Sequence, residues 1–138
     1  MRYQIRYTRV ENTPSIQEYI ESKLVDALNK AAAKSDASES WQFTIEVGRD
    51  TLHHKKGDVW FAEVNGATHY GAIRARSEGG NIHEAIDLTE GELKSVLSKS
   101  KGRIFARSLR AARRAKKMMR LSQLARFFRR GRIRDEGI

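Results

Sequence analysis

The 138-residue chain contains no cysteine. That excludes a disulfide framework, a thiolate metal site and a cysteine nucleophile, and it fits a reducing compartment. No stretch approaches the roughly 18 consecutive apolar residues of a membrane span. The first ten residues, MRYQIRYTRV, alternate polar and apolar and lack the apolar run of a signal peptide. A cytoplasmic protein without a membrane segment is therefore expected. Catalytic signatures are missing as well. The adjacent pair His53 and His54 offers too few ligands for a metal, and His69 and His83 stand alone. No phosphate-binding loop or Ser-His-Asp pattern is present. Neither an enzyme nor a cofactor is expected.

What is abundant is positive charge, and it is unevenly placed. The chain has 27 Lys and Arg against 17 Asp and Glu, a net charge of +10. Residues 1–102 sum to −1, whereas residues 103–138 sum to +11. The expected organisation is a near-neutral domain over 1–102 and a cationic extension over 103–138. Such an extension attracts polyanions, either nucleic acid or anionic lipid.

In the first part, Tyr3, Ile5 and Tyr7 alternate with Arg2, Gln4 and Arg6, the period of a strand with one apolar face. Pro14 suits the first turn of a helix, with Thr13 or Ser15 as its cap. Ile16, Ile20, Leu24, Ala27, Leu28 and Ala31 form that helix's apolar stripe. Trp41 to Val47 and Val59 to Val64 read as strands, separated by a polar loop containing Arg49, His53, His54, Lys55 and Lys56. Asn65-Gly66 is a strong hairpin signal, leading into a fourth strand, Thr68 to Ser77. Asn81 can cap a long helix whose buried face is Ile82, Ile86, Thr89, Leu93, Val96, Leu97 and Ile104. Gly91 weakens that helix, and Gly102 can kink or end it. The order strand, helix, three strands, helix predicts an α+β sandwich: a four-stranded, mostly antiparallel sheet with two helices on one face. The tail reads as a basic, partly helical extension, with much of 103–130 helical when bound and partly disordered alone, and with Gly131 as its end. Met118, Leu121, Leu124, Ala125 and Phe128 form an apolar stripe on it.

The cations come as a set. Lys23, Lys30 and Lys34 fall within roughly 40° of one another on the first helix. Arg74 and Arg76 share one face of the fourth strand. Lys94, Lys99, Lys101 and Arg103 end the second helix, and Arg107, Arg110, Arg113, Arg114, Lys116 and Lys117 continue into the tail. Cations on several elements can grip phosphates of a folded RNA by shape, without reading sequence. These fifteen residues are the candidate RNA-binding set.

Two local patterns then resemble a known family, the ribosome hibernation-promoting factors and ribosome-associated inhibitor A. One is Thr13-Pro14-Ser15-Ile16 followed by Glu18-Tyr19-Ile20. The other is Ile73-Arg74-Ala75, a glycine turn, then Ala85-Ile86-Asp87-Leu88 with Leu93, Leu97, Lys99 and Lys101; Phe61-Ala62-Glu63-Val64 fits as well. The resemblance spans residues 1 to about 103. It departs from the family pattern at Asn81, His83 and Gly91-Glu92. The tail matches neither the family's separate dimerisation domain nor a short acidic end.

The resemblance implies a double-stranded-RNA-binding-like fold and a non-catalytic ribosome hibernation factor. It implies binding to rRNA in the decoding region of the small ribosomal subunit, in competition with messenger RNA and tRNA. By the family pattern the contacts fall on Lys23, Lys30, Lys34, Lys94, Lys99, Lys101 and Arg103. Two rivals stand beside it. One is a general nucleic-acid-binding or ribosome-assembly protein of the same fold. The other treats the tail as a membrane-surface helix. Whether the tail pairs two ribosomes, or two copies of the chain, is open at the level of sequence.

Overall fold

A computed structural model of the protein describes residues 1–50 and 59–136. His53, His54, Lys55 and Lys56 of the expected polar loop lie outside them. The elements are β1 (Arg2–Thr8), α1 (Pro14–Ile20), a π-helical stretch (Glu21–Val25), α2 (Asp26–Ala33), a 3-10 turn (Ser38–Ser40), β2 (Gln42–Asp50), β3 (Val59–Thr68), β4 (Gly71–Gly79) and α3 (Ile82–Glu136). The chain divides into two compact units, Met1–Lys101 and Gly102–Ile138.

The sheet runs β1-β2-β3-β4. β1 and β2 are parallel, while β2/β3 and β3/β4 are antiparallel. The single parallel pair follows from what joins it, because two parallel neighbours need a crossover and α1, the π-helical stretch and α2 supply one. The two antiparallel pairs are joined directly along the chain. The expected α+β sandwich is thus present, with a mixed sheet.

Thr13 is the cap that forms. Its backbone is extended and its Oγ1 accepts a hydrogen bond from the Ile16 N–H at 3.3 Å. At α3, the Asn81 side chain accepts from the Glu84 N–H at 2.8 Å, and the Glu84 carboxylate accepts from the Gly80 N–H at 2.9 Å. Each end thus satisfies donors that a helix start leaves unpaired.

The core lies between one face of the sheet and the helices. Ile20, Leu24 and Leu28 from the first helical stretch and Ile82, Ala85, Ile86, Leu93 and Leu97 from α3 are buried. Opposite them stand Phe43, Ile45, Val47, Ala62, Val64, Ile73 and Ala75. Registration puts Ile45, Val64 and Ala75 in one row across three strands. Each fully buried aliphatic side chain contributes about 2 kcal/mol relative to exposure. Thr89 is fully buried within this apolar layer. Its hydroxyl lies 2.9 Å from the carbonyl oxygen of Ala62 and 2.8 Å from that of Ala85, which ties α3 to β3.

Two expectations change. Asn65-Gly66 is not the turn, since β3 continues through it to Thr68 and the hairpin closes at His69-Tyr70, with Gly71 at φ +116°. Gly66 is there for space: a Cβ would come within 2.2 Å of the Phe43 ring lying across it. Nor does Gly131 end α3, which runs to Glu136. A helix-interior glycine costs only about 1 kcal/mol against alanine. Good helix formers on both sides of each glycine carry α3 through Gly91, Gly102 and Gly131.

Candidate nucleic-acid interface

The first helical stretch and the N-terminal part of α3, up to Lys101, both pack on the sheet, and this brings separate sequence stretches together. Lys30 and Lys34 come from α2 and its end, and Lys94 and Lys101 come from α3. With Ala27, Ala31, Trp41, Tyr70, Leu97 and Ser98 they line one groove of about 400 Å³. Four of the fifteen candidate residues therefore share a single site within the first unit.

The lysines around the groove differ in what holds them. Lys30 pairs with Asp26 at 3.0 Å, one helical turn away. Lys94 pairs with Glu90 at 2.7 Å, and this hydrogen bond raises its pKa above the ordinary lysine value. Lys23 lies further along the helix pair, 3.8 Å from both Asp87 and Glu90 and 5.8 Å over the Tyr19 ring. The Tyr19 hydroxyl donates to Asp87 at 2.6 Å, and this bond raises the phenol's pKa. The His83 ring meets Tyr19 edge-on at 4.6 Å. Lys23, Tyr19, Asp87 and Glu90 thus form a polar latch between the two helices. Lys34, Lys99 and Lys101 are exposed and make no ion pair among the described residues.

Arg74 and Arg76 lie elsewhere. They alternate with the buried Ile73 and Ala75, so they point to the sheet face away from the helices. There they surround Glu63, which is only 7% exposed. Arg74 approaches it at 3.1 Å and Arg76 at 3.2 Å, and Asn65 donates to it at 2.7 Å. Arg76 also pairs with Asp50 at 2.9 Å and Glu78 at 3.6 Å, and its guanidinium stacks 4.5 Å over the Phe61 ring. Burial pushes the Glu63 carboxyl up. The hydrogen bonds from Asn65 and Arg76 and the charges of both arginines outweigh it and hold the carboxyl below its ordinary value. These two arginines complete a charge network of the fold, and the structure does not bring them together with the lysine groove.

In the second unit, Arg103, Arg107, Arg110, Arg113, Arg114, Lys116 and Lys117 are all exposed, with no ion pair among the described residues. At 3.6 residues per turn, all of these except Lys116, together with Arg120, fall within about 140° of the helix circumference. Phe105, Leu109, Met118 and Met119, on other parts of the surface, are 44–71% exposed.

Sequence reasoning did not find the walls of the groove. Trp41 and Leu97 read as core, and Tyr70 was one residue of an expected strand. The available signal was an aromatic at a hairpin tip, His69-Tyr70-Gly71. Trp41 donates its indole N–H to His69 Nδ1 at 2.9 Å, and the His69 ring lies 3.9 Å from that of Tyr70. Among the described residues no group of three or more His, Asp and Glu gathers to hold a metal, and no helix is long and apolar enough to cross a membrane.

Comparison with known proteins is consistent with this architecture. The model of the family described as sigma 54 modulation protein / S30EA ribosomal protein matches residues 3–104. The fold is similar to that of a ribosomal subunit interface protein from Coxiella burnetii, at 19% identity and a TM-score of 0.55, over 74% of this chain and 99% of that one. It is also similar to the N-terminal domain of Protein Y from Thermus thermophilus, at 21% identity and a TM-score of 0.53, over 72% of this chain and 98% of that one. No curated protein matches the chain by sequence.

Proposed function

The chain belongs to the sigma 54 modulation protein / S30EA ribosomal protein family, and from that premise we propose that it is a cytoplasmic ribosome hibernation factor. The family is one of binding proteins rather than enzymes. In this reading residues 1–102 are the ribosome-binding domain. They dock in the decoding region of the small ribosomal subunit, hold rRNA through phosphates, and occupy the path of messenger RNA and the tRNA sites. Translation stops because the channel is filled, not because a bond is made or broken. Residues 103–138 are a basic extension that adds phosphate contacts along rRNA.

The observation that carries the reading is the lysine groove. Lys30, Lys34, Lys94 and Lys101 converge from two helices on one surface of the part of the chain that the family model matches. Lysines on two rigid helices fix a spacing between bound phosphates, and that is recognition by shape. The exposed cations Lys99, Arg103, Arg107, Arg110, Arg113, Arg114, Lys116 and Lys117 extend the same chemistry. Arg74 and Arg76 are committed to Glu63 and stand outside the phosphate-binding set in this reading.

The test is sedimentation of the full chain with vacant small subunits at low salt, with and without deacylated tRNA. Co-sedimentation that tRNA reverses is expected. Binding that saturating tRNA leaves unchanged contradicts the reading. It favours the second one, an assembly or general RNA-binding protein. That alternative draws on the extension, which lies almost wholly beyond the residues the family model matches.

A further inference from the structure

We propose that the lysine groove is a nucleotide site, which holds one unstacked base against Tyr70 and its phosphate between Lys34 and Lys101. This deepens the proposed function and rests on it for the RNA source of the nucleotide. Phosphate binding alone needs cations, and the exposed lysines of any helix supply those. This groove has more. Its lining is mainly apolar: Ala27, Ala31, Trp41, Tyr70 and Leu97 share it with the four lysines. A volume of about 400 Å³ falls in the range of small-molecule sites, which combine an apolar lining with a few polar groups. A flat ring carrying a phosphate satisfies both parts, and every nucleobase has a face that stacks on an aromatic side chain.

The ring is also held in place. The Tyr70 N–H donates to Thr68 Oγ1 at 3.0 Å, His69 packs at 3.9 Å and Trp41 meets the ring at 6.2 Å. A stacking platform fixed by its neighbours loses little freedom when a base arrives. The charges are divided in the same sense. Lys30 and Lys94 have carboxylate neighbours, whereas Lys34 and Lys101 have none among the described residues. A nucleotide phosphate, the singly charged diester of an RNA chain or the terminal group of a free nucleotide, meets two uncommitted cations.

The probes are AMP, GMP, inorganic phosphate and a single-stranded hexaribonucleotide. Each is titrated against the full chain at low, constant ionic strength, with tryptophan emission as readout because Trp41 lines the groove. AMP and GMP are expected to quench, and inorganic phosphate at the same concentration is not. A hexanucleotide that binds more tightly than AMP identifies an RNA chain as the source; AMP binding at least as tightly identifies a free nucleotide. Tyr70→Leu is expected to weaken binding about tenfold, the scale of one missing stack, while Tyr70→Phe retains it. Lys34→Gln/Lys101→Gln, at exposed positions, gives a comparable weakening without depending on the hairpin's stability. No nucleotide-specific quenching, or quenching that Tyr70→Leu leaves intact in a folded protein, overturns the inference. A chain that sediments with small subunits but fails these titrations loses the nucleotide site and keeps its proposed function. A chain that passes the titrations but never sediments loses the ribosomal reading alone.

Discussion

The two sides of the sheet use positive charge in opposite ways. On the face away from the helices, Arg74 and Arg76 close on the buried carboxylate of Glu63, and Asp50 and Glu78 also pair with Arg76. On the helix side, Lys34 and Lys101 stand at a groove with no carboxylate of their own among the described residues. The residue types are similar and the electrostatic consequences differ. A cation paired with a buried carboxylate serves stability, because removing it leaves a desolvated charge without a partner. A cation left exposed adds little to stability and remains available to an external phosphate.

The largest effect expected from that contrast is on binding. Lys34→Glu/Lys101→Glu places two negative charges at the groove. It is expected to lower affinity for small subunits about a hundredfold at moderate salt, with a melting temperature near that of the parent chain. Sedimentation and thermal unfolding measured on the same sample separate the two quantities.

The converse substitution is Arg76→Met. It removes the partner that Glu63 holds at 3.2 Å and is expected to cost about 2 kcal/mol of stability, read from denaturant unfolding. Affinity for small subunits, measured well below the unfolding midpoint, is expected to change less than about twofold, as for a cation that makes no phosphate contact. A drop in binding as large as that of the lysine pair would erase the distinction between the two faces.

The same network sets a pH dependence. The Glu63 carboxyl titrates lower in the folded chain than in the unfolded one. Its contribution is therefore fully present above the ordinary carboxylate range and is lost as pH falls through the folded value. Unfolding followed from neutral to acidic pH is expected to show a decline that Glu63→Gln makes shallower. Smallest is Gly91→Ala, where an added Cβ meets no atom within 4 Å. It is expected to raise stability by roughly 1 kcal/mol and to leave ribosome binding unchanged.

Much of this was legible in the sequence, and what was not has physical causes. Local chemistry carried well. Thr13, one of the two caps expected for the first helix, and Asn81, the cap expected for α3, both form. The apolar periods of Trp41 to Val47 and of Ile82 to Leu97 define buried faces. Alternation along β4 already separated Arg74 and Arg76 from Ile73 and Ala75, but the partner, Glu63, comes from β3 through register. Asn65-Gly66 looked like a turn because small, flexible residues close hairpins. Here the glycine makes room for the ring of Phe43 on the neighbouring strand, which only pairing reveals. The groove was half visible, since lysine spacing placed the cations on helix faces. Tyr70 joins them through a hairpin tip far along the chain from α2, and no local pattern encodes that approach. The π-helical turn at Glu21–Val25 likewise has no signal in the spacing of Ile20, Leu24 and Leu28.

The central claim is that cations not closed on a buried carboxylate form the binding surface, and that Arg74 and Arg76, which close on Glu63, do not. The most direct test is the salt dependence of small-subunit binding for the parent chain, Lys34→Ala/Lys101→Ala and Arg74→Ala/Arg76→Ala. Removing one phosphate-binding cation is expected to reduce the slope of log affinity against log salt by about one. The lysine pair should then lower the slope by about two, and the arginine pair should leave it near the parent value. Equal reductions for both pairs, or a reduction for the arginines alone, would contradict the account.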